Sequence, residues 1–139
     1  MTSASNDLPA IFHPNIPAST EVTFLGSLLD QSGSMKKVRD AVIAGFNKYL
    51  EEQKKAPGRT IFSLTMFDTE VEIVHPPTPI ETIPELSYRS YRPDGDTALY
   101  DALGQTIIAL ERSVRALPRP PDHVILAIMT DGKDNSSME

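Results

Sequence analysis

The fold is decided by the stretch EVTFLGSLLDQSGS, residues 21–34. Its first nine residues, 21–29, form a nearly continuous apolar run, which is typical of a strand covered on both faces. Asp30, Ser32 and Ser34 follow at alternate positions, and Gly33 lets the backbone turn both hydroxyls toward one point. The stretch therefore predicts a buried strand that ends in a cluster of oxygen-bearing side chains.

Strand and helix patterns alternate along the rest of the chain. A helical stripe begins near Met35 and ends at Pro57-Gly58, and a second one runs from Ala98 to the prolines that begin at Pro118. Strands are predicted at 60–67, 70–75 and 123–129, the first two joined as a hairpin. The first stripe contains Val38, Val42, Phe46 and Tyr49, and the second contains Leu99, Leu103, Thr106, Leu110 and Val114.

This order predicts an α/β domain over residues 21–139, with a mostly parallel sheet and one antiparallel edge hairpin. Residues 1–20 are polar and proline-containing, and they are predicted to be an extended or disordered lead-in. Prolines between His75 and Leu86 are expected to exclude a long regular element there. The strand 123–129 is predicted to be buried on both faces.

Two more oxygen-bearing residues lie at the ends of predicted elements. Asp131 follows the strand 123–129, and Thr97 precedes the second helix, where it is also the predicted N-cap. Ligands of parallel sheets bind beyond the carboxyl ends of the strands. We therefore expect Asp30 and Asp131 to face one crevice, with Thr97 entering it from a third loop.

Carboxylates and hydroxyls without sulfur or nitrogen suit a hard divalent cation, so Mg²⁺ is the expected metal, and Mn²⁺ or Ca²⁺ could replace it. Only two of the candidate ligands carry charge, so the ion would stay receptive to another anionic group. The pattern predicts metal-mediated binding rather than hydrolysis. The candidate ligands are Asp30, Ser32, Ser34, Thr97 and Asp131.

The three motif pieces together resemble the von Willebrand factor A-type domain and its metal-ion-dependent adhesion site. They are Asp30-x-Ser32-x-Ser34, Thr97 before a helix, and Asp131 after a strand. The likeness runs from about residue 21 to residue 139, and the phrases at 29–35 and 97–102 resemble small stand-alone bacterial members.

The resemblance implies a three-layer Rossmann-like fold and a site that binds partner proteins. The hydroxyls of Ser32, Ser34 and Thr97 would contact Mg²⁺, while Asp30 and Asp131 would bind it directly or through water. A Glu or Asp of the partner protein would take the free position. Family members continue with further helices and two more strands, so we expect a domain truncated after its fourth strand.

Two alternatives compete with this reading. Haloacid-dehalogenase-type phosphatases also begin with a strand that ends in Asp, so Asp30 could be a nucleophile and residues 131–135 a magnesium segment. Ser32, however, occupies the place of that family's acid/base Asp, and a serine is a poor proton donor near pH 7. The other alternative is an interaction domain of the same fold that binds no metal.

Composition excludes several other classes. The net charge of −6 argues against nucleic-acid binding, and the absence of cysteine excludes disulfides and thiolate metal sites. No apolar run approaches the ~20 residues of a membrane span, and no signal peptide is visible, so a cytoplasmic location is expected. Strand 123–129 is expected to form an exposed apolar edge that could pair with a second copy.

Overall fold

In the computed structural model, which describes residues 20–131, a four-stranded sheet lies between two helices. Short 3-10 segments cover Gly33–Val38 and Ile80–Thr82. Except for Thr20, the predicted lead-in lies outside the described residues, and so do residues 132–139. The strands are β1 (Val22–Asp30), β2 (Arg59–Phe67), β3 (Val71–Pro79) and β4 (His123–Met129), and the helices are α1 (Arg39–Lys55) and α2 (Leu99–Arg115).

The sheet has the order β3-β2-β1-β4, with β1 parallel to both neighbours and β2 antiparallel to β3. This confirms the predicted α/β class with a mostly parallel sheet and an edge hairpin. In the register, Asp30 lies beside Phe67 of β2, and Leu29 lies beside Met129 of β4. The three parallel strands therefore end level with one another, which brings the following loops to one edge.

The core has two halves because alternate residues of β1 point to opposite faces. Leu25 and Leu29 pack with Phe46 of α1 in one cluster. Phe24 and Leu28 belong to clusters on the other face, which α2 completes. Burying each such side chain contributes about 1.5–3 kcal/mol, so β1 holds both layers together. Within residues 20–131, no helix is long and apolar enough to cross a membrane.

The prolines after His75 do not stop the strand at its predicted end, although no long regular element forms between His75 and Leu86, as predicted. β3 continues through Pro76 and Pro77 and ends at Pro79. It is an edge strand whose pairing with β2 shifts twice, between Phe62 and Thr65, so residues without an N–H are tolerated there.

Both helices begin later than the sequence predicts. Gly33–Val38 forms a 3-10 segment before α1, and Val38 is 38% exposed, so Leu50 rather than Val38 belongs to the buried stripe. The structure assigns the N-cap of α2 to Ala98, one residue after the predicted Thr97, and Ala98 forms no side-chain capping bond. The backbone N–H of Ala98 donates to the carbonyl of Asp68, which joins the start of α2 to the loop between β2 and β3.

β4 has the predicted bounds but is not buried on both faces. Val124, Ile125 and Ile128 are 44–49% exposed, although they alternate between the two faces. The helices cover the centre of the sheet and leave this side strand partly open. Among residues 20–131, the expected sheet order with β4 as an exposed apolar edge is confirmed.

Gly58, in the turn from α1 to β2, should not tolerate replacement by a residue with a side chain. Its φ is +85°, and an added Cβ would lie 2.6 Å from the carbonyl oxygen of Glu21. Gly58→Ala should therefore cost at least about 2 kcal/mol of unfolding free energy, measured by urea titration. Gly45→Ala is the matched control, because its position in α1 is open and alanine should stabilise the helix by about 1 kcal/mol. Equal effects of the two changes would contradict this account of the turn.

Candidate metal centre

Asp30 lies at the end of the central strand with its side chain fully buried. One carboxylate oxygen accepts from the backbone N–H of Ser32 at 2.8 Å and from the Ser32 hydroxyl at 2.6 Å. The other oxygen accepts from the Thr130 hydroxyl at 2.7 Å. Hydrogen bonds of this kind offset part of the cost of burying a carboxylate, and they fix its orientation from two different loops.

The two serines converge as the alternating motif predicts. Ser32 is fully buried and its hydroxyl lies 3.2 Å from that of Ser34. Because the Ser32 proton is donated to Asp30, the contact between the serines is best made by the Ser34 hydroxyl donating to Ser32. A Cβ on Gly33 would stand only 3.3 Å from the Gly95 carbonyl oxygen, so the small residue permits a close approach of two backbones.

β4 delivers the third motif to the same edge. Since Met129 lies level with Leu29, Thr130 comes beside Asp30 and donates its hydroxyl to the carboxylate. Asp131 is exposed, and its charge is felt by Tyr91, whose hydroxyl contacts the end of β1. Asp131 follows Thr130 directly in the chain, so β4 brings it to the same edge of the sheet as Asp30.

Thr97 sits on a segment that is tied to two other loops. The N–H of Gly33 donates to the Gly95 carbonyl at 2.8 Å, and the N–H of Asp94 donates to the Gln31 carbonyl at 2.9 Å. On the other side of Thr97, Ala98 is bonded to the hairpin loop through Asp68. Thr97 itself is 2% exposed. Its segment is thus fixed against the loop that carries the two serines.

Tyr91 holds the end of β1 in place through its hydroxyl group. Its side chain is fully buried and its hydroxyl donates to the backbone carbonyl of Asp30 at 2.6 Å. Burial raises the pKa of Tyr91 far above its ordinary value, the charges of Asp30 and Asp131 raise it further, and the Arg39 guanidinium offsets part of this rise. The phenol therefore stays protonated and remains a hydrogen-bond donor across the physiological range.

The donor set fits a hard cation better than a transition metal. Within residues 20–131, no group of three His, Asp or Glu side chains gathers as a metal cluster, so hydroxyls would form much of the coordination shell. In the same residues no Lys or Arg forms an ion pair with the buried Asp30. A buried carboxylate without a basic partner, beside two converging hydroxyls, is a suitable place for Mg²⁺.

The sequence identified most of this edge but missed the residues that support it. Ser32 contacts Asp30 directly and Ser34 contacts Ser32, whereas Asp131 and Thr97 are brought to the same edge by β4 and by the tied loop. Their role as metal ligands stays a prediction. Thr130 and Tyr91 were not predicted, although Thr130 immediately precedes a motif residue and could have been found as a second strand-end hydroxyl. Tyr91 gives no signal, because its contact with Asp30 spans 61 residues.

Comparison with known proteins supports the fold. No protein-family model matches the chain, and no curated protein sequence matches it. Among solved structures, the crystal structure of the ArnB paralog VWA2 from Sulfolobus acidocaldarius matches with a TM-score of 0.57 and 22% sequence identity. The chain has a von Willebrand factor A-like fold. The match covers 84% of this chain but only 29% of that one, so the present domain spans under a third of its neighbour.

Tyr91→Phe should destabilise the domain by about 1–2 kcal/mol at neutral pH, because the buried carbonyl of Asp30 loses its donor. The pKa of Tyr91 is raised in the folded state, so its contribution is complete below the unfolded pKa of about 10 and is lost as pH rises above that value. The difference between wild type and variant, measured by urea unfolding, should therefore shrink between about pH 10 and pH 11.

Tyr100→Phe is the control, because this tyrosine is 57% exposed. If Tyr91→Phe changed stability no more than Tyr100→Phe does at neutral pH, the anchoring role of Tyr91 would be wrong.

Proposed function

We propose that the domain is a protein-binding module that engages a carboxylate of its partner through Mg²⁺, without enzymatic activity of its own. The ion would be held at the level end of the three parallel strands. The residues proposed to hold it are Asp30, Ser32, Ser34, Thr97 and Asp131. The partner would supply an Asp or Glu side chain.

The observation that carries this proposal is the buried cluster of Asp30 with the two motif serines. Asp30 and Ser32 are fully buried, and the hydroxyl of Ser34 lies within 3.2 Å of that of Ser32. The cluster contains one full negative charge and several neutral oxygens, and the exposed Asp131 adds a second charge. Two carboxylates leave a divalent cation without excess negative charge around it, so a third carboxylate from outside gains a charge-assisted contact.

The surface beside the cluster suits an acidic partner on one side. Lys36 and Lys37 are exposed and begin two residues after Ser34, and Lys36 reaches Asp94 at 3.7 Å. This pair is open to solvent and therefore weak, so Lys36 can exchange its partner at little cost. Arg39 is not available in the same way, because its guanidinium is bonded to the carbonyls of Tyr88 and Tyr91.

Asp30→Asn should lower the Mg²⁺ affinity at least about a hundredfold, measured by isothermal titration calorimetry. Loss of a residue that only orients a metal ligand already lowers metal affinity by about 10- to 100-fold, and loss of a ligand itself should lower it no less. The substitution keeps the size of the side chain and one oxygen that can accept hydrogen bonds. Asp40→Asn in the first turn of α1 is the control, since it makes the same charge change at an exposed position.

The same variants test the partner. A pull-down with the wild-type chain should retain a protein in Mg²⁺ and release it in EDTA, whereas Asp30→Asn should retain it in neither. Hydrolysis of a generic phosphoester by the wild type that disappears in Asp30→Asn would overturn the binding function and favour the phosphatase alternative. Partner binding that is unchanged by EDTA and by Asp30→Asn would favour an interaction domain that needs no metal.

We also propose that β4 pairs edge to edge with β4 of a second copy. The two edges of the sheet differ: β3 carries Pro76, Pro77 and Pro79, whereas His123–Met129 contains no proline and no Lys, Arg, Asp or Glu. Prolines and charges are the usual protection of an edge strand, and β4 has neither. The sequence of β4 can also face itself in antiparallel pairing about Leu126.

In that pairing the small residue Ala127 would lie beside Ile125 of the second copy. Ala127 lines a cavity of about 240 Å³ between α1 and the β4 side of the sheet, together with Phe46 and Tyr49. Ser27 lines it as well, and within the described residues its buried hydroxyl has no hydrogen-bond partner. An isoleucine from the second copy would cover this opening.

Multi-angle light scattering should therefore find the wild type associated at high concentration, and Ile125→Lys should shift it toward the monomer, because a charge on β4 opposes edge pairing. Ile73→Lys is the matched control on the opposite edge strand, where Ile73 is 60% exposed. A wild type that stays monomeric, or equal effects of the two lysines, would contradict pairing through β4.

A further inference from the structure

The chain between β3 and α2 is a long connector that depends on other parts of the molecule for its shape. Apart from the 3-10 segment Ile80–Thr82, residues 80–98 contain no helix or strand, yet Ile83, Leu86 and Tyr91 are buried. Backbone groups of a buried irregular segment need partners outside it. The connector ends at Thr97, so whatever holds the connector also determines where that hydroxyl lies.

One face of α1 supplies the partners. Near the end of the helix, the Lys54 ammonium donates to the carbonyl of Ile83 at 2.7 Å. In the middle, Asn47 forms two bonds with the backbone of Leu86: its amide donates to the carbonyl at 2.9 Å, and its side-chain oxygen accepts from the N–H at 2.7 Å.

At the start of the helix, Arg39 donates to the carbonyl of Tyr91 at 3.0 Å and to that of Tyr88 at 2.6 Å. The Arg39 guanidinium also lies 4.1 Å from the centre of the Tyr88 ring, which adds a cation–π contact.

These three side chains are spaced by seven and eight residues, which is about two turns each, so they lie along one face. Their partners appear in the reverse order, and the connector therefore runs antiparallel to α1 over roughly 22 Å of its length. We call Arg39, Asn47 and Lys54 the α1 brace. The last contact of the brace is at Tyr91, whose hydroxyl meets Asp30. Beyond it, Asp94 and Gly95 bond to the serine loop.

We infer that the α1 brace, and Asn47 above all, positions Thr97 for the metal. This inference rests on the proposed function. Asn47 is neutral, is far from Thr97 in sequence, and forms its hydrogen bonds to the connector with the backbone of Leu86. Without these two bonds, the connector would sample other positions, and cation binding would have to order it again. Because coupling is reciprocal, the cation should in turn protect the connector backbone.

The test compares Asn47→Ala with two other changes in α1 of the full chain. Lys48→Ala changes the neighbouring exposed residue, and Leu50→Val trims a buried core residue and so lowers overall stability without touching the brace. Mg²⁺ affinity is measured by calorimetry well below the unfolding temperature of every variant. Hydrogen exchange of residues 83–98 is measured with and without Mg²⁺.

Asn47→Ala should weaken Mg²⁺ binding about tenfold. The variant loses two hydrogen bonds that order the connector, so part of the free energy of Mg²⁺ binding is spent on ordering it again. It should also speed exchange in residues 83–98, and Mg²⁺ should slow that exchange again. Lys48→Ala and Leu50→Val should keep the wild-type affinity. Asn47→Asp should fall between wild type and alanine, since it keeps the acceptor for Leu86 and loses the donor.

Three results would overturn the inference, and they are distinguishable from one another. If the wild type binds Mg²⁺ and Asn47→Ala binds it equally well, the brace does not position the site, while the proposed function stands. If Leu50→Val weakens binding as much as Asn47→Ala does, the effect is one of general stability. If the wild type binds no Mg²⁺, the proposed function itself is wrong and the inference fails with it.

Discussion

The structure depends on a carboxylate, that of Asp30, which is buried at the end of the central strand at a cost in desolvation free energy. An ionised group out of water must be compensated, and here the compensation comes from donors on two different loops, Ser32 and Thr130. This requirement fixes how β1 and β4 end relative to each other, because the donors reach Asp30 only if the strands stop level. Sheet register, loop conformation and side-chain chemistry are therefore parts of a single constraint.

The loops around Asp30 are also joined to one another by backbone hydrogen bonds. Gln31 and Gly33 bond to Asp94 and Gly95, and Asp68 bonds to Ala98. Such an arrangement leaves the side chains at the rim free to vary while the positions of the oxygens are kept. For the proposed binding function, this division would let rim residues set specificity while the backbone sets geometry.

Much of the fold could be predicted because its strongest signals are local. The apolar run of β1 and the helical stripes of α1 and α2 have clear periods, and the motif at Asp30, Ser32 and Ser34 lies within five residues. The failures share a physical origin in tertiary context. Prolines within β3 are tolerated because only one side of that strand is paired, and the exposure of β4 depends on how far the helices reach across the sheet.

The supporting residues of the site were beyond the reach of the sequence for the same reason. Tyr91 is one aromatic residue in a proline-rich stretch, and nothing around it indicates a bond to a carbonyl 61 residues away. Asn47 is likewise an ordinary polar residue of an amphipathic helix. Their roles follow from the path of the connector along α1, which no local pattern encodes. Thr130 is the intermediate case, since its place at a strand end is visible but its donor role is not.

The turn at Ser87–Ser90 has a consequence for how related chains can differ in length. Its hydroxyls and backbone bond to one another, and its residues are exposed. From Asp94 to Ala98, by contrast, the chain is fastened at both ends, so each residue between them has one allowed place. Insertions and deletions should thus accumulate at the tip near Arg89, while the five-residue step from Asp94 to Ala98 keeps its length. Changes of length are therefore tolerated in the turn before Thr97, but not in the segment 94–98 that contains it.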